Sequence, residues 1–158
     1  MGTMMRDVLI RTALVNEQRE LEALQRRASL ANPGDREALL ANPDAIELPL
    51  EQIERGHVFV AEIYGSIAGF AALVFRADGE ADLDALFVEP ELWRHGVGAQ
   101  LIEHCVDVAR SAGSCVLHVV GNPHADGFYS AVGFDVIGTT QTRFGPGLLM
   151  CKPLVQPD

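Results

Sequence analysis

The chain has 158 residues, enough for one domain with a sizeable buried core. Apolar residues make up 48% of it, which excludes a disordered chain, and its longest apolar runs are far too short to cross a bilayer. With 22 acidic against 12 basic residues the formal net charge is −10, which argues against nucleic acid as the main partner, because phosphate backbones are held by basic surfaces. No signal-peptide pattern opens the chain, so a cytoplasmic protein with no membrane partner is expected.

Residues 8–13 form a short β candidate. Asn16 is placed to cap a helix in which Leu21, Leu24, Ala28 and Ala31 recur at three- and four-residue spacing. Leu-Ala-Asn-Pro at 30–33 returns at 40–43. Both Asn-Pro pairs read as turn starts or caps around a short helix at 35–40, and Pro49 breaks any long helix beyond it. Residues 57–63 and 66–75 are β-like and joined by Tyr64-Gly65 as a hairpin, and Asp78-Gly79 turns the chain into a third strand at 81–88.

A helix at 97–110 follows, with Val97, Leu101, Cys105 and Val108 on one face. Gln100, Glu103, an exposed His104, Asp107 and Arg110 lie on the other, so the helix is expected to pack on a sheet. Gly113 ends it, and 115–120 is a continuous apolar run of the buried-strand kind, with His118 as a satisfied core histidine. The three cysteines (Cys105, Cys115 and Cys151) lack paired metal spacing, and the first two read as buried free thiols. Cys115 and His118 make no metal pair, because an offset of three on a strand points them to opposite faces.

Asn122 caps the last helix with Pro123 at its first position. Ala125, Phe128, Tyr129 and Val132 form its apolar stripe, His124 its surface, and Gly133 its end. Strands at 134–142 and 148–154 close the chain around Gly145-Pro146-Gly147. The order β-α-α-β-β-β-α-β-α-β-β predicts an α/β fold, a single mixed sheet with helices on both faces. A right-handed crossover sets the 81–88 and 115–120 strands side by side and parallel, so the two helices that follow them open at one sheet edge, where ligands of α/β sheets bind.

Gly96 and Gly98 bring bare backbone to the first of those helix starts, whose unpaired N–H groups and partial positive charge suit a phosphate, with Arg94 and His95 beside them. The strand Leu86-Phe87-Val88 followed by Trp93-Arg94-His95-Gly96-Val97-Gly98 resembles the acyl-CoA motif of the GNAT N-acetyltransferases, a strand ending in Val and then Gln/Arg-x-x-Gly-x-Gly/Ala. A second signature of that family, Asn-x-x-Ala-x-x-Phe-Tyr-x-x-x-Gly-Phe, matches Asn122, Ala125, Phe128, Tyr129, Gly133 and Phe134. The resemblance covers residues 57–138, whereas residues 1–56 fit by element order. It departs from the family at Trp93, where Gln or Arg is usual, and so moves the expected phosphate contact to the backbone of Arg94, His95, Gly96, Val97, Gly98 and Ala99.

The resemblance implies a single GNAT-type domain over residues 1–158, with a mostly antiparallel sheet and acetyl-CoA as co-substrate, without a metal. The pyrophosphate would sit on the 94–99 turn, and the pantetheine arm would pair with the main chain of Leu86, Phe87 and Val88. The Val88 amide would polarise the thioester carbonyl, and Asn122 would bond the arm. Tyr129 would protonate the departing thiolate. Asp82 and Asp84 share a strand face, and either would take the amine proton directly or through water, with Asp84 preferred as closer to the thioester. The expected acceptor is a primary amine, small molecule or peptide, received by direct transfer in a ternary complex. Arg26, Arg27, Glu47 and Arg143 stand near it by location. The resemblance also allows a homodimer. The alternatives are a non-catalytic acyl-CoA-binding module on the same fold, and a transferase of another acyl group or to a non-amine acceptor.

Overall fold

The computed structural model describes residues 8–142 and 145–154; Arg143 lies outside them, as does the side chain of His124. Four antiparallel strands build the first part of the sheet: β1 (Val8–Thr12), β2 (Val58–Ile63), β3 (Ser66–Phe75) and β4 (Ala81–Val88). β4 then pairs in parallel with β5 (Val116–Gly121), and β6 (Asp135–Thr142) and β7 (Gly145–Pro153) complete an antiparallel end. The order β1-β2-β3-β4-β5-β7-β6 is the mixed, mostly antiparallel sheet expected, with its one parallel pair at β4 and β5.

Helices cover both faces. α4 (Val97–Ser111) buries Val97, Leu101, Ile102, Cys105, Val106 and Ala109 against Phe59, Ala71, Leu73, Leu83, Leu117 and Met150, in the core that also takes Tyr129 and Phe134. The buried stripe is wider than the four residues read from periodicity, as a helix laid across a sheet requires. On the opposite face, α1 (Gln18–Ala31) and α3 (Leu50–Glu54) press Leu21, Leu24 and Ile53 onto Val58, Val60, Phe70 and Ala72. Each such side chain stabilises the fold by about 1.5–3 kcal/mol. α2 (Pro33–Ala41) and the short α5 (Asp126–Ala131) complete the set. Among the described residues no helix is long and apolar enough to cross a membrane.

Several local expectations give way to tertiary contacts. α1 is entered through a 3-10 turn, Val15–Glu17, and Asn16 does not cap it. Glu17 does the local work instead: its carboxylate accepts the Leu14 amide at 2.8 Å and pairs with Arg11, which holds it below the usual carboxylate range. α3 begins directly after Pro49, which stands at its N-cap. A 3-10 turn, Pro123–Ala125, delays α5 and shortens it to six residues. β5 alternates, with Leu117 and Val119 buried and Val120 exposed, because the second core draws its strands from β2, β3 and β4 only. Cys115 is exposed, His118 is half-buried against Glu80, and His104 packs edge-on against Phe59 at 4.7 Å, where desolvation lowers its pKa.

Candidate active site

The site begins with an irregularity in β4. Ala72 pairs with Ala85 and Leu73 with Leu83, so Asp84 is the extra residue of a β-bulge. Leu83 belongs to the α4-side core and Ala85 to the opposite one, so the alternation of side chains slips at Asp84. The parallel pairing to β5 ends at the same point, with Ala81, Asp82 and Leu83 opposite Leu117, His118 and Val119. Beyond it the two strands diverge, and β4 runs on to Val88 with one edge open.

The register shows what that edge offers. The Glu89 amide donates to Ala68 at 2.9 Å, so Glu89 faces β3, and strand main chains alternate their hydrogen-bonding edge residue by residue. Leu86 and Val88 therefore turn their N–H and C=O groups to the cleft, while Phe87 turns its own to β3 and packs its ring against Phe70. Of the three strand residues singled out from sequence, two can pair with an incoming arm. One of their groups is already used: the Trp93 indole N–H donates to the Val88 carbonyl at 2.8 Å. Nothing in the sequence pattern marked that contact, yet it explains how this chain employs the residue by which it departs from its family resemblance.

The chain then folds tightly into α4. Arg94 holds a left-handed φ of 69° and Gly96 one of 87°, and the first helical bond is from Gln100 to Gly96 at 3.1 Å. Among the described residues no side chain caps this start, so the amides of Val97, Gly98 and Ala99 are first-turn donors without an intrahelical acceptor. Arg94 and His95 are exposed at its rim. Gly98 has a packing reason as well: a Cβ there would lie 3.2 Å from Phe128 Cζ and 3.8 Å from Val88 Cγ2. Helix α4, the end of β4 and α5 thus converge where the glycine sits.

Tyr129 stands beneath them, 9% exposed, edge-on to Phe128 and Phe134 with ring centroids 5.1 and 5.5 Å apart. Burial alone pushes its phenol up to about 12, so it stays protonated across the physiological range. The two aspartates part company. Asp82 pairs with Arg76 at 3.4 Å and sits opposite His118, at the closed end of the cleft. Asp84 is exposed at the bulge itself, where the cleft opens. At ~3.3 Å of rise per residue, Asp84 is about 7 Å from Leu86 and Asp82 about 13 Å.

Asn122 follows β5 on the far bank. Its carbonyl accepts the Ala125 amide at 2.8 Å, and its side-chain Nδ2 donates to Asp35 of α2, also at 2.8 Å. Asp35 is thus a site neighbour that no local pattern revealed, since 87 positions separate the partners. Arg27 reaches the other bank through Glu89, whereas Arg26 is spent on the Pro43 carbonyl.

Trp93 is the only tryptophan, so its emission should report anything that enters beside Val88. Titration with acetyl-CoA is expected to change that emission saturably. An emission unchanged at saturating ligand would place the arm elsewhere.

Comparison with known proteins identifies the family and the fold. The model of the acetyltransferase (GNAT) family matches residues 20–134. Two relatives, peptidyl-lysine N-acetyltransferases YjaB of Salmonella typhimurium LT2 and Escherichia coli K12, are 36% and 39% identical over 59 residues, 37% of this chain. The matched stretch spans 39% of the length of each of those relatives. Among solved structures, the PaiA N-acetyltransferase of Thermoplasma acidophilum in complex with coenzyme A superposes with a TM-score of 0.76 at 20% identity, covering 92% of this chain and 98% of its own. YncA, a putative acetyltransferase of Salmonella typhimurium with acetyl-CoA, gives 0.72 at 21%, covering 96% of each chain. At these identities the structures establish the shared fold.

Proposed function

Because the chain belongs to the acetyltransferase (GNAT) family, we propose that it transfers the acetyl group of acetyl-CoA directly to a primary amine within a ternary complex. The observation that carries this reading is the open edge of β4 at Leu86 and Val88, set beside the uncapped amides at the start of α4. The pyrophosphate fits the amides of Val97, Gly98 and Ala99, with Arg94 and His95 at its rim. The pantetheine arm then runs back along β4 and adds to it as a strand, in reach of Asn122.

That direction orders the contacts. An arm entering from α4 meets Val88 first and Leu86 second, so its thioester end comes to Leu86 and the bulge. Val88, the sequence's candidate for polarising the thioester, holds the arm instead, and the Leu86 amide is the donor nearest the carbonyl. In the reaction, the neutral amine nitrogen bonds to the carbonyl carbon and the C–S bond breaks. The departing sulfur takes the Tyr129 proton. The nitrogen, made cationic by the attack, gives its proton to Asp84 through one water, a reach consistent with about 7 Å; Asp84 releases it to solvent, and solvent returns a proton to the tyrosine. Asp82, held by Arg76 and farther away, is left out of this scheme.

Most of the acceleration comes from holding amine and thioester together. The acidic surface favours a cationic acceptor, and the peptidyl-lysine activity named for two relatives makes a lysine side chain the first to test. Release of free CoA thiol from acetyl-CoA should be stimulated by lysine peptides or by another primary amine in a broad panel. Binding of acetyl-CoA with no turnover on any amine would show a non-catalytic acyl-CoA module, and turnover confined to longer acyl-CoAs would show a different donor.

A further inference from the structure

Strand β5 carries an apolar side chain that the fold leaves in the open. Leu117 and Val119 face the core under α4, so Val120 points to the opposite face, where it is 52% exposed. Its partner on β7 is the half-buried Leu149. The Leu154 amide donates to the Cys115 carbonyl and strand pairs alternate, so Val120–Leu149 is a non-hydrogen-bonded rung with Cβ atoms about 5 Å apart. Gly147 leaves room for the side chain from the β7 side: a Cβ there would lie 2.8 Å from Val120 Cγ1. Val120 and Leu149 form a short apolar strip, with the His118–Glu80 pair toward one end and the Asn122–Asp35 pair toward the other.

The position of the strip beside the cleft gives it a use. The β4–β5 ladder ends with Leu83 opposite Val119, so the next residues along, Asp84 and Val120, stand on either side of the point where the strands part. α4 and the Tyr129 of α5 occupy the other face of the sheet. With the sulfur leaving toward Tyr129, the amine reaches the thioester from the face that carries Val120. At ~4.8 Å between strands, Val120 lies at least about 5 Å from Asp84, and Leu149 at least about 10 Å.

We infer that Val120, backed by Leu149, is a specificity-determining residue, which takes the aliphatic chain that carries the acceptor amine. The inference rests on the reading that a primary amine attacks beside Asp84, and it narrows that amine to one on an unbranched methylene chain, as in a lysine side chain. An amine flanked by a carboxylate or by hydroxyls would set a polar group on Val120, whose methyls offer it no hydrogen bond in exchange for water.

The test compares n-propylamine, n-butylamine and n-pentylamine as acceptors for the full chain at saturating acetyl-CoA. kcat/KM is expected to rise about twofold with each added methylene, against about fourfold for one fully buried, because the strip covers one side of the chain. Val120→Thr keeps the branched shape and replaces a methyl by a hydroxyl. It should raise the KM for all three amines about three- to fivefold, with the acetyl-CoA Kd by calorimetry within about twofold. Leu149→Ala, farther out, should cost pentylamine about two- to threefold and leave propylamine unchanged. Turnover of all three amines at equal kcat/KM, or a Val120→Thr variant whose amine KM matches the parent's, would overturn the inference and leave acetyl transfer to amines standing. Acetyl-CoA binding with no turnover of any primary amine would overturn both.

Discussion

Replacing Tyr129 by phenylalanine is expected to lower kcat about 10²- to 10³-fold while leaving acetyl-CoA affinity within about twofold. The ring fills a cavity bounded by Phe128 and Phe134, and phenylalanine keeps that shape, so the fold and the slot survive the change. What is lost is the phenolic proton proposed for the departing sulfur. General acids of this kind contribute about 10²- to 10⁴-fold. The lower part of that range applies because a phenol raised to about 12 hands its proton uphill to a sulfur whose thiol titrates at about 8.5. Its contribution therefore comes as the thiolate forms, by hydrogen bonding to the charge that develops there.

The pH dependence follows with a definite sign. A group that must be protonated, and whose pKa is raised to about 12, remains competent until pH approaches that value. The rate should therefore rise with pH as the acceptor amine loses its proton, and show no descending limb from Tyr129 below about pH 11. In the phenylalanine variant the rising limb should persist at the lower rate. A kcat unchanged by the substitution removes Tyr129 from the chemistry.

The second large effect is expected at Gly98. Valine there should weaken acetyl-CoA binding about ten- to a hundredfold. A single Cβ already approaches Phe128 Cζ to 3.2 Å and Val88 Cγ2 to 3.8 Å, so the two methyl groups beyond it press on the Phe128 ring and on the end of β4. They also crowd the amides of Val97, Gly98 and Ala99, and an anion held by fixed dipoles is sensitive to their direction and access. Alanine at Gly127 on α5, where nothing lies within 4 Å, should change Kd less than twofold. Equal effects at the two glycines would show that helix stability, and not the cradle, is being measured.

The strand boundaries at the centre of the sheet and the two motif-bearing turns were legible because their signals are local. Period-two runs bounded by Tyr64-Gly65 and Asp78-Gly79 gave β3 and β4 at their observed ends, and Gly96 marked the start of α4. Three parts of the site were not legible, each for a physical reason. The bulge at Asp84 depends on a two-against-one match with β3, which no single strand's pattern contains. The Trp93 contact to Val88 depends on a side chain folding back over an exposed turn. The Asp35–Asn122 bond joins segments that only the completed sheet brings together. The N-terminal helices were the least legible, because Asn16 is a better cap by type than Glu17, and only the ion pair with Arg11 decides between them.

The central claim is that acetyl-CoA occupies the cleft between β4 and β5 with its pyrophosphate on the start of α4. A crystal structure of the chain with CoA tests it most directly. The account predicts pyrophosphate oxygens within about 3.2 Å of the amides of Val97, Gly98 and Ala99, and the pantetheine arm hydrogen-bonded to Leu86 and Val88 but not to Phe87. A CoA whose arm lies outside the cleft, or whose pyrophosphate touches none of those three amides, would contradict it.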